Sequence, residues 1–250
     1  MPASLSSYGA GVNFPGDTDR LAILGRTGSG KTQAAVFHLS RAGFDYMPWV
    51  VIDYKNDALI NRIDRAEVID FDTVPDQPGI YILKVRPGQE ELVSDWFRRA
   101  WEMEDIGIYV DEGYLIDSRD MWFNACLTQG RSKHIPMIVL SQRPVWLSRY
   151  VFSEASYFQV FDLSHTKDMD KVREYVRDDE GQLDQPLVDY HSYYYDVVRR
   201  RLDTLGPAPN ENDILRAINA KLVSLQAQPM RATFDQQGLP VAVARRTRAI

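Results

Sequence analysis

Apolar residues come along this chain in short unbroken runs more often than in alternation. Leu21-Ala22-Ile23-Leu24, Trp49-Val50-Val51-Ile52, Ile108-Tyr109-Val110 and Met137-Ile138-Val139-Leu140 each stop at a glycine or a polar group. Runs of this kind suit strands buried on both faces of a parallel sheet, because a one-sided strand would alternate. Residues 67–71, 79–85 and 156–161 extend the set of strands, with Pro75, Pro78 and Gly79 breaking the chain between the first two. Between strands the period changes to a helical one. Residues 31–42, 90–103, 119–129 and 166–176 read as helices. In the second of these, Val93, Trp96, Phe97 and Ala100 fall on one apolar stripe, read as core. Gly130 ends the third, and the charges of the fourth form a solvated face. Strands alternating with helices predict an α/β fold, a parallel-core sheet sandwiched by helices.

The ends of the chain are different in texture. The first 19 residues are rich in Ser, Gly and Pro and read as a flexible or subunit-contacting arm. Gly206-Pro207-Ala208-Pro209 marks the end of the core. A short amphipathic helix is expected over 212–225, then a polar tail from 226 to 250. The expected division is an arm over 1–18, an ATPase domain over 19–205 and a C-terminal helix with a tail over 206–250. With 250 residues, 44% of them hydrophobic, one α/β domain with modest extensions is the expectation. The one cysteine, Cys126, rules out an internal disulfide and a cysteine zinc site, and its apolar setting makes it a packing residue. The four histidines, His165 among them, are not spaced as a metal pair. No run reaches the length of a membrane span and the N-terminus lacks a signal pattern, so a cytosolic setting fits. A formal net charge of −6 argues against a broad basic DNA-coating face. It leaves room for an oligomer that gathers a few arginines around a channel.

The candidate chemistry begins where the first run stops. Gly25-Arg26-Thr27-Gly28-Ser29-Gly30-Lys31-Thr32 fits G-x-x-x-x-G-K-[ST], preceded by a strand and followed by a helix. Glycines let several backbone N–H groups turn toward one phosphate chain, and the helix N-terminus adds partial positive charge there. Lys31 reaches β- and γ-phosphates, and Thr32 offers a hydroxyl to Mg²⁺. Asp53 and Lys55 follow the second run, at the strand end where ligands gather in such sheets. The third run ends in Asp111-Glu112. Asp111 suits the metal shell and Glu112 suits polarisation of the attacking water. Gln142 ends the fourth run, where an amide can contact the γ-phosphate or the water. Arg131 and Arg143 are the arginines best placed to neutralise transition-state charge, in their own subunit or a neighbour's. Tyr193-Tyr194-Tyr195 offers either base stacking or, more in keeping with its setting, a closing strand. Arg199-Arg200-Arg201 could contact phosphates or solubilise an end.

With GRTGSGKT, VVIDYKND, IYVDE and GRSKHIPMIVLSQRP in that order, the chain resembles the FtsK–HerA family of ring-shaped DNA-pumping ATPases. Its short length looks most like the branch of viral genome-packaging ATPases of tailless internal-membrane viruses. The resemblance spans about residues 18 to 200 in layout, while only the motif blocks are specific. It implies a RecA-like P-loop ATPase of the additional-strand, catalytic-glutamate type. It implies ATP and Mg²⁺ as cofactors, Lys31 and Thr32 on phosphate and metal, and Asp111 and Glu112 as metal and base acids. Gln142 would be the sensor and Arg131 a finger supplied to a neighbour. The implied partners are double-stranded DNA, a homo-oligomeric ring such as a hexamer, and capsid vertex or portal proteins, at a virion vertex or in host cytoplasm. No winged-helix-like domain is present to read DNA orientation. Competing readings are a cellular translocase, a filamentous-phage-type assembly ATPase that moves protein, and a nucleotide-binding module without motor work.

Overall fold

Nine strands form one sheet in a computed structural model that describes residues 5, 7–227, 233–234 and 240–241. The phosphate-loop strand β1 (Arg20–Leu24) lies inside it. The other strands are β2 (Pro48–Asp53), β3 (Glu67–Ile69), β4 (Gly79–Lys84), β5 (Gly107–Val110), β6 (Met137–Ser141), β7 (Tyr157–Val160), β8 (Ser192–Asp196) and β9 (Arg201–Leu205). Their order is β3-β4-β2-β5-β6-β1-β7-β8-β9. The strands from β3 to β7 run parallel, and β8 and β9 close the sheet as an antiparallel hairpin. β6 therefore stands between the phosphate-loop strand and the strand that carries the acids.

The unbroken apolar runs have the cause read from the sequence. Every residue of β1, β2, β5 and β6 is buried. Successive side chains serve opposite faces. Ala22, Leu24, Val50 and Ile52 join the core under α2 (Glu90–Met103), α3 (Met121–Gln129) and α4 (Arg149–Ser153). Leu21, Ile23 and Val51 join the core under α1 (Lys31–Arg41) and α6 (Glu211–Ala227). Val93, Trp96, Phe97 and Ala100 are the buried stripe of α2, as its spacing predicts. Cys126 is buried on α3, and burial pushes its thiol pKa up, so it packs rather than reacts.

Three stretches differ from expectation. The stretch read as an arm lays Tyr8 into the core, edge-on to Phe37 at 4.8 Å, and Phe14 against Phe37 and Tyr194. Its tyrosine hydroxyl accepts from Gln159 on β7 at 2.9 Å. The core does not end at Gly206: Ile214, Leu215, Ile218 and Leu222 of α6 are buried on the α1 side of the sheet. The basic stretch at 199–201 makes the turn into β9, an edge strand that the spacing did not reveal. Arg201 ion-pairs with Asp203 at 2.7 Å. α3 starts at Met121 rather than 119, because Asp120 caps it by accepting from the Phe123 N–H at 2.7 Å. α5 (Thr166–Arg173) is three residues shorter at its end than 166–176. Tyr193, Tyr194 and Tyr195 are buried in β8, the closing strand the sequence favoured. Most of 226–250, read as a tail, lies outside the described residues, apart from a short antiparallel pair at Thr233–Phe234 and Pro240–Val241. Among the described residues, no helix is long and apolar enough to cross a membrane.

Candidate active site

β2, β5, β6 and β1 stand side by side, and their registers bring Asp53, Asp111, Gln142 and Gly25 to one edge of the sheet. Each follows the last apolar residue of its run, so the chain leaves the sheet there and its polar groups collect at the carboxyl edge.

The phosphate loop is built by backbone conformation. Gly28 and Gly30 have φ of 76° and 99°, a region that L side chains rarely adopt. Gly30 caps α1, and its carbonyl accepts the Ala34 N–H at 3.0 Å. Lys31 and Thr32 thus open a helix whose free N–H groups face the loop. Lys31 is buried, and its ammonium donates to the Arg26 carbonyl at 2.9 Å. Burial, with the nearby Lys55 cation, lowers its pKa to about 8, against a pull in the other direction from Asp111. Arg26 turns outward to Asp162, with Nε 2.6 Å from the carboxylate.

The two acids differ although they are neighbours. Asp111 is buried, and its Oδ2 has no hydrogen-bond partner among the described residues. Burial raises its pKa to about 6, opposed by Lys55 and Lys31. Glu112 is fully buried and sits in the left-handed region, φ 60° and ψ 57°. Its ion-pair partner is the Lys55 ammonium. Asp53 shapes the loop that delivers that lysine: its carboxylate accepts from the Lys55 and Asp57 N–H groups, each at 3.2 Å. Burial raises the Asp53 pKa while those hydrogen bonds lower it.

Gln142 joins the loop to the acids. Its Oε1 accepts from the Thr27 hydroxyl, and its Nε2 donates to the Tyr114 hydroxyl at 2.9 Å. Tyr114 lies in the short turn Gly113–Leu115 immediately after Glu112. Nothing in its spacing marked it, and only the folded sheet reveals the connection.

The arginines separate. Arg143 follows Gln142 and is pinned in its own chain, with Nε 3.1 Å from the buried Asp168 and its guanidinium 4.0 Å from the Trp146 ring centroid. Arg131 is exposed and lies before β6, beside Arg20 at the amino edge of the sheet. With about 3.3 Å per strand residue, β1 alone puts it some 13 Å or more from its own phosphate loop. His165 stands before α5 and touches none of these groups.

Mg²⁺ is a hard cation that binds through one or two protein oxygens together with waters and substrate phosphates. The unpartnered, desolvated Asp111 Oδ2 fits that demand, and Thr32 supplies the hydroxyl at the start of α1. Among the described residues no cluster of three or more His, Cys, Asp or Glu could hold a metal on its own. This agrees with a cation completed by nucleotide.

A phosphate loop, an acid pair and one strand between them define a P-loop NTPase of the additional-strand, glutamate type. No family model matches the chain. The DNA packaging ATPase P9 of Enterobacteria phage PRD1 is 42% identical over 214 residues, covering 82% of this chain and 93% of P9. The crystal structure of B204, the DNA-packaging ATPase from Sulfolobus Turreted Icosahedral Virus, superposes with a TM-score of 0.60 at 17% identity, over 76% of this chain and 98% of B204. The B204 packaging NTPase of Sulfolobus turreted icosahedral virus 2, in complex with ATP-γS, gives 0.56 at 15% identity, over 76% of this chain and 98% of that one. The chain belongs to the viral DNA-packaging ATPase family, the branch of the FtsK–HerA ATPases that its motifs resemble.

Proposed function

We propose that this chain hydrolyses ATP with Mg²⁺ to drive double-stranded DNA into a viral capsid, as a homo-oligomeric ring, a hexamer in the simplest form. In this reading the ring docks on a capsid vertex or portal protein, in the virion or in the host cytoplasm. The observation that carries it is the convergence of Lys31, Asp111, Glu112 and Gln142 on one sheet edge. The loop from Gly25 to Thr32 holds the phosphates, and Lys31 leaves the Arg26 carbonyl for them. Asp111 and Thr32 hold Mg²⁺, which neutralises charge on the β- and γ-phosphates when bound. Glu112, once clear of Lys55, orients and polarises the attacking water. Gln142 reports on the γ-phosphate through Thr27 and Tyr114. Arg131 serves a neighbour's site. Residues 19–205 are the ATPase domain, with the arm before it and the C-terminal helix and tail after it.

The test is ATP turnover by the purified protein with and without double-stranded DNA, with Lys31→Ala alongside. We expect turnover that DNA stimulates, abolished in Lys31→Ala with the circular dichroism spectrum unchanged. Turnover retained in a folded Lys31→Ala protein would reject the phosphate-loop assignment. Turnover indifferent to DNA, with the protein docked on capsids or free, would reject the DNA motor.

A further inference from the structure

The acids account for one side of the phosphate loop. On the other side lies a cavity of about 200 Å³ lined by Gly30, Gln33, Tyr190, Pro207, Ala208 and Asn210. Pockets that hold a whole drug-sized ligand begin near about 300 Å³, so this one takes a part of a nucleotide. None of Lys55, Asp111, Glu112 and Gln142 lines it. Sheet order explains the separation. The acids and Gln142 belong to β5 and β6, on one side of β1. Tyr190 precedes β8 and Pro207 follows β9, on the other side. A triphosphate whose γ end faces Glu112 therefore directs its nucleoside end toward this cavity.

The walls are held in place. Tyr190 has a φ of 62°, an uncommon conformation for a bulky residue, and its side chain remains 57% exposed. Its ring lies against Gly30: a Cβ on that glycine would come within 3.3 Å of Tyr190 Cδ1. The opposite wall is fixed to α1, because the Gln33 amide donates to the Pro209 carbonyl at 2.6 Å and the Ala208 carbonyl at 3.4 Å. Asn210 Oδ1 accepts the Asn212 N–H at 2.9 Å, which leaves its amide nitrogen facing outward. An exposed aromatic ring beside a phosphate loop, with a proline and a side-chain amide around the same cavity, has the chemistry of a site for a flat heteroaromatic ring.

We propose that this cavity is the nucleobase site, with a purine stacked on Tyr190, bounded by Pro207 and reached by the Asn210 amide. The inference rests on the ATPase reading of the phosphate loop and adds the residues that tell a nucleotide from a bare polyphosphate. Stacking of a base on an aromatic ring is sequence-tolerant, since every base has a π-face, so Tyr190 supplies affinity more than discrimination.

The experiment compares wild type, Tyr190→Ala and Tyr190→Phe for ATP binding and for binding of inorganic tripolyphosphate, which has no base. The inference expects Tyr190→Ala to weaken ATP about tenfold, to leave tripolyphosphate unchanged, and Tyr190→Phe to match wild type. In turnover the loss falls on KM, with kcat kept. Equal weakening of both ligands would mean that Tyr190 merely props the loop at Gly30, and would overturn the base site. No weakening of either would overturn it as well. A wild-type protein that binds neither ligand would instead sink the phosphate-loop reading, and the base site with it.

Discussion

At the scale of single residues, burial sets what each polar group can do. Glu112 carries a non-glycine left-handed backbone, which costs on the order of 1–3 kcal/mol and persists only where its surroundings enforce it. The ion pair with Lys55 is part of that enforcement. Asp111, one residue earlier, has a buried oxygen without a partner, and a cation is what such an oxygen lacks. His38 is a third case, away from the site. It is fully buried, and Nε2 lies 2.8 Å from Gln159 Oε1, which marks Nε2 as the protonated nitrogen. Gln159 in turn donates to Tyr8 and Ser192. The groups that face His38 are the Arg41 cation and the neutral ring of Tyr194, and burial is the main reason its pKa falls from 6.5 to about 4. The unfolded state therefore binds a proton that the folded state refuses. Stability from this residue is fully present above pH 6.5 and is lost as the pH falls toward 4. We expect wild type to lose roughly 2 kcal/mol through His38 between pH 7 and pH 5. Urea unfolding at both pH values tests this: His38→Gln should show a flatter dependence, and an unchanged slope would contradict the assignment.

At the scale of elements, what was legible in the sequence depended on how local its cause is. β1, β2, β5 and β6 could be read because burial on both faces leaves an unbroken apolar run. The phosphate loop could be read because its glycines answer a backbone need within a few residues. The early arm could not. Tyr8 and Phe14 look like isolated aromatics in a Ser-Gly stretch, and their partners, Gln159 and Tyr194, are more than a hundred residues away. β9 was hidden for the opposite reason: an exposed edge strand, RLDTL, needs no apolar run. In α6 the stripe was visible, but its destination was not. Each of Ile214, Leu215, Ile218 and Leu222 contributes roughly 1.5–3 kcal/mol on burial, enough to make the helix part of the core. The joint between α3 and β6 gives an element-scale prediction. Gly130 ends α3, and its carbonyl accepts the Ile135 N–H at 2.7 Å. A Cβ there would stand 2.2 Å from the Cys126 carbonyl oxygen and 2.9 Å from that of Ile135. Backbone carbonyls cannot turn aside as side chains do. Gly130→Ala should therefore lower the stability by ~1–3 kcal/mol, read as a lower denaturation midpoint. An unshifted midpoint would show that the joint has slack.

At the scale of the whole molecule, the sheet decides what one subunit can do alone. It places the phosphate loop, the acids and Gln142 on its carboxyl edge, and Arg131 beside Arg20 on its amino edge. Side-chain motion cannot close a gap set by the length of β1. Arg143, the other candidate arginine, is on the correct edge but is committed to Asp168 and Trp146. If Arg131 acts, it acts on the loop of another copy, across a head-to-tail interface that closes into a ring. Such an interface is heterologous, so each active site draws its loop from one subunit and its finger from the next. Lys31→Ala and Arg131→Ala should each be inactive alone. Mixed in equal amounts, an interface recovers when an Arg131→Ala subunit offers the intact loop and a Lys31→Ala subunit offers the intact arginine. Random assembly makes that roughly a quarter of the interfaces. Turnover in the mixture should therefore rise well above that of either parent, and should track the proportion of the two variants with a maximum at equal amounts. A mixture as dead as its parents, with mixed oligomers confirmed by native mass spectrometry, would place the charge-neutralising group elsewhere and leave Arg131 as a surface residue at the joint of α3 and β6.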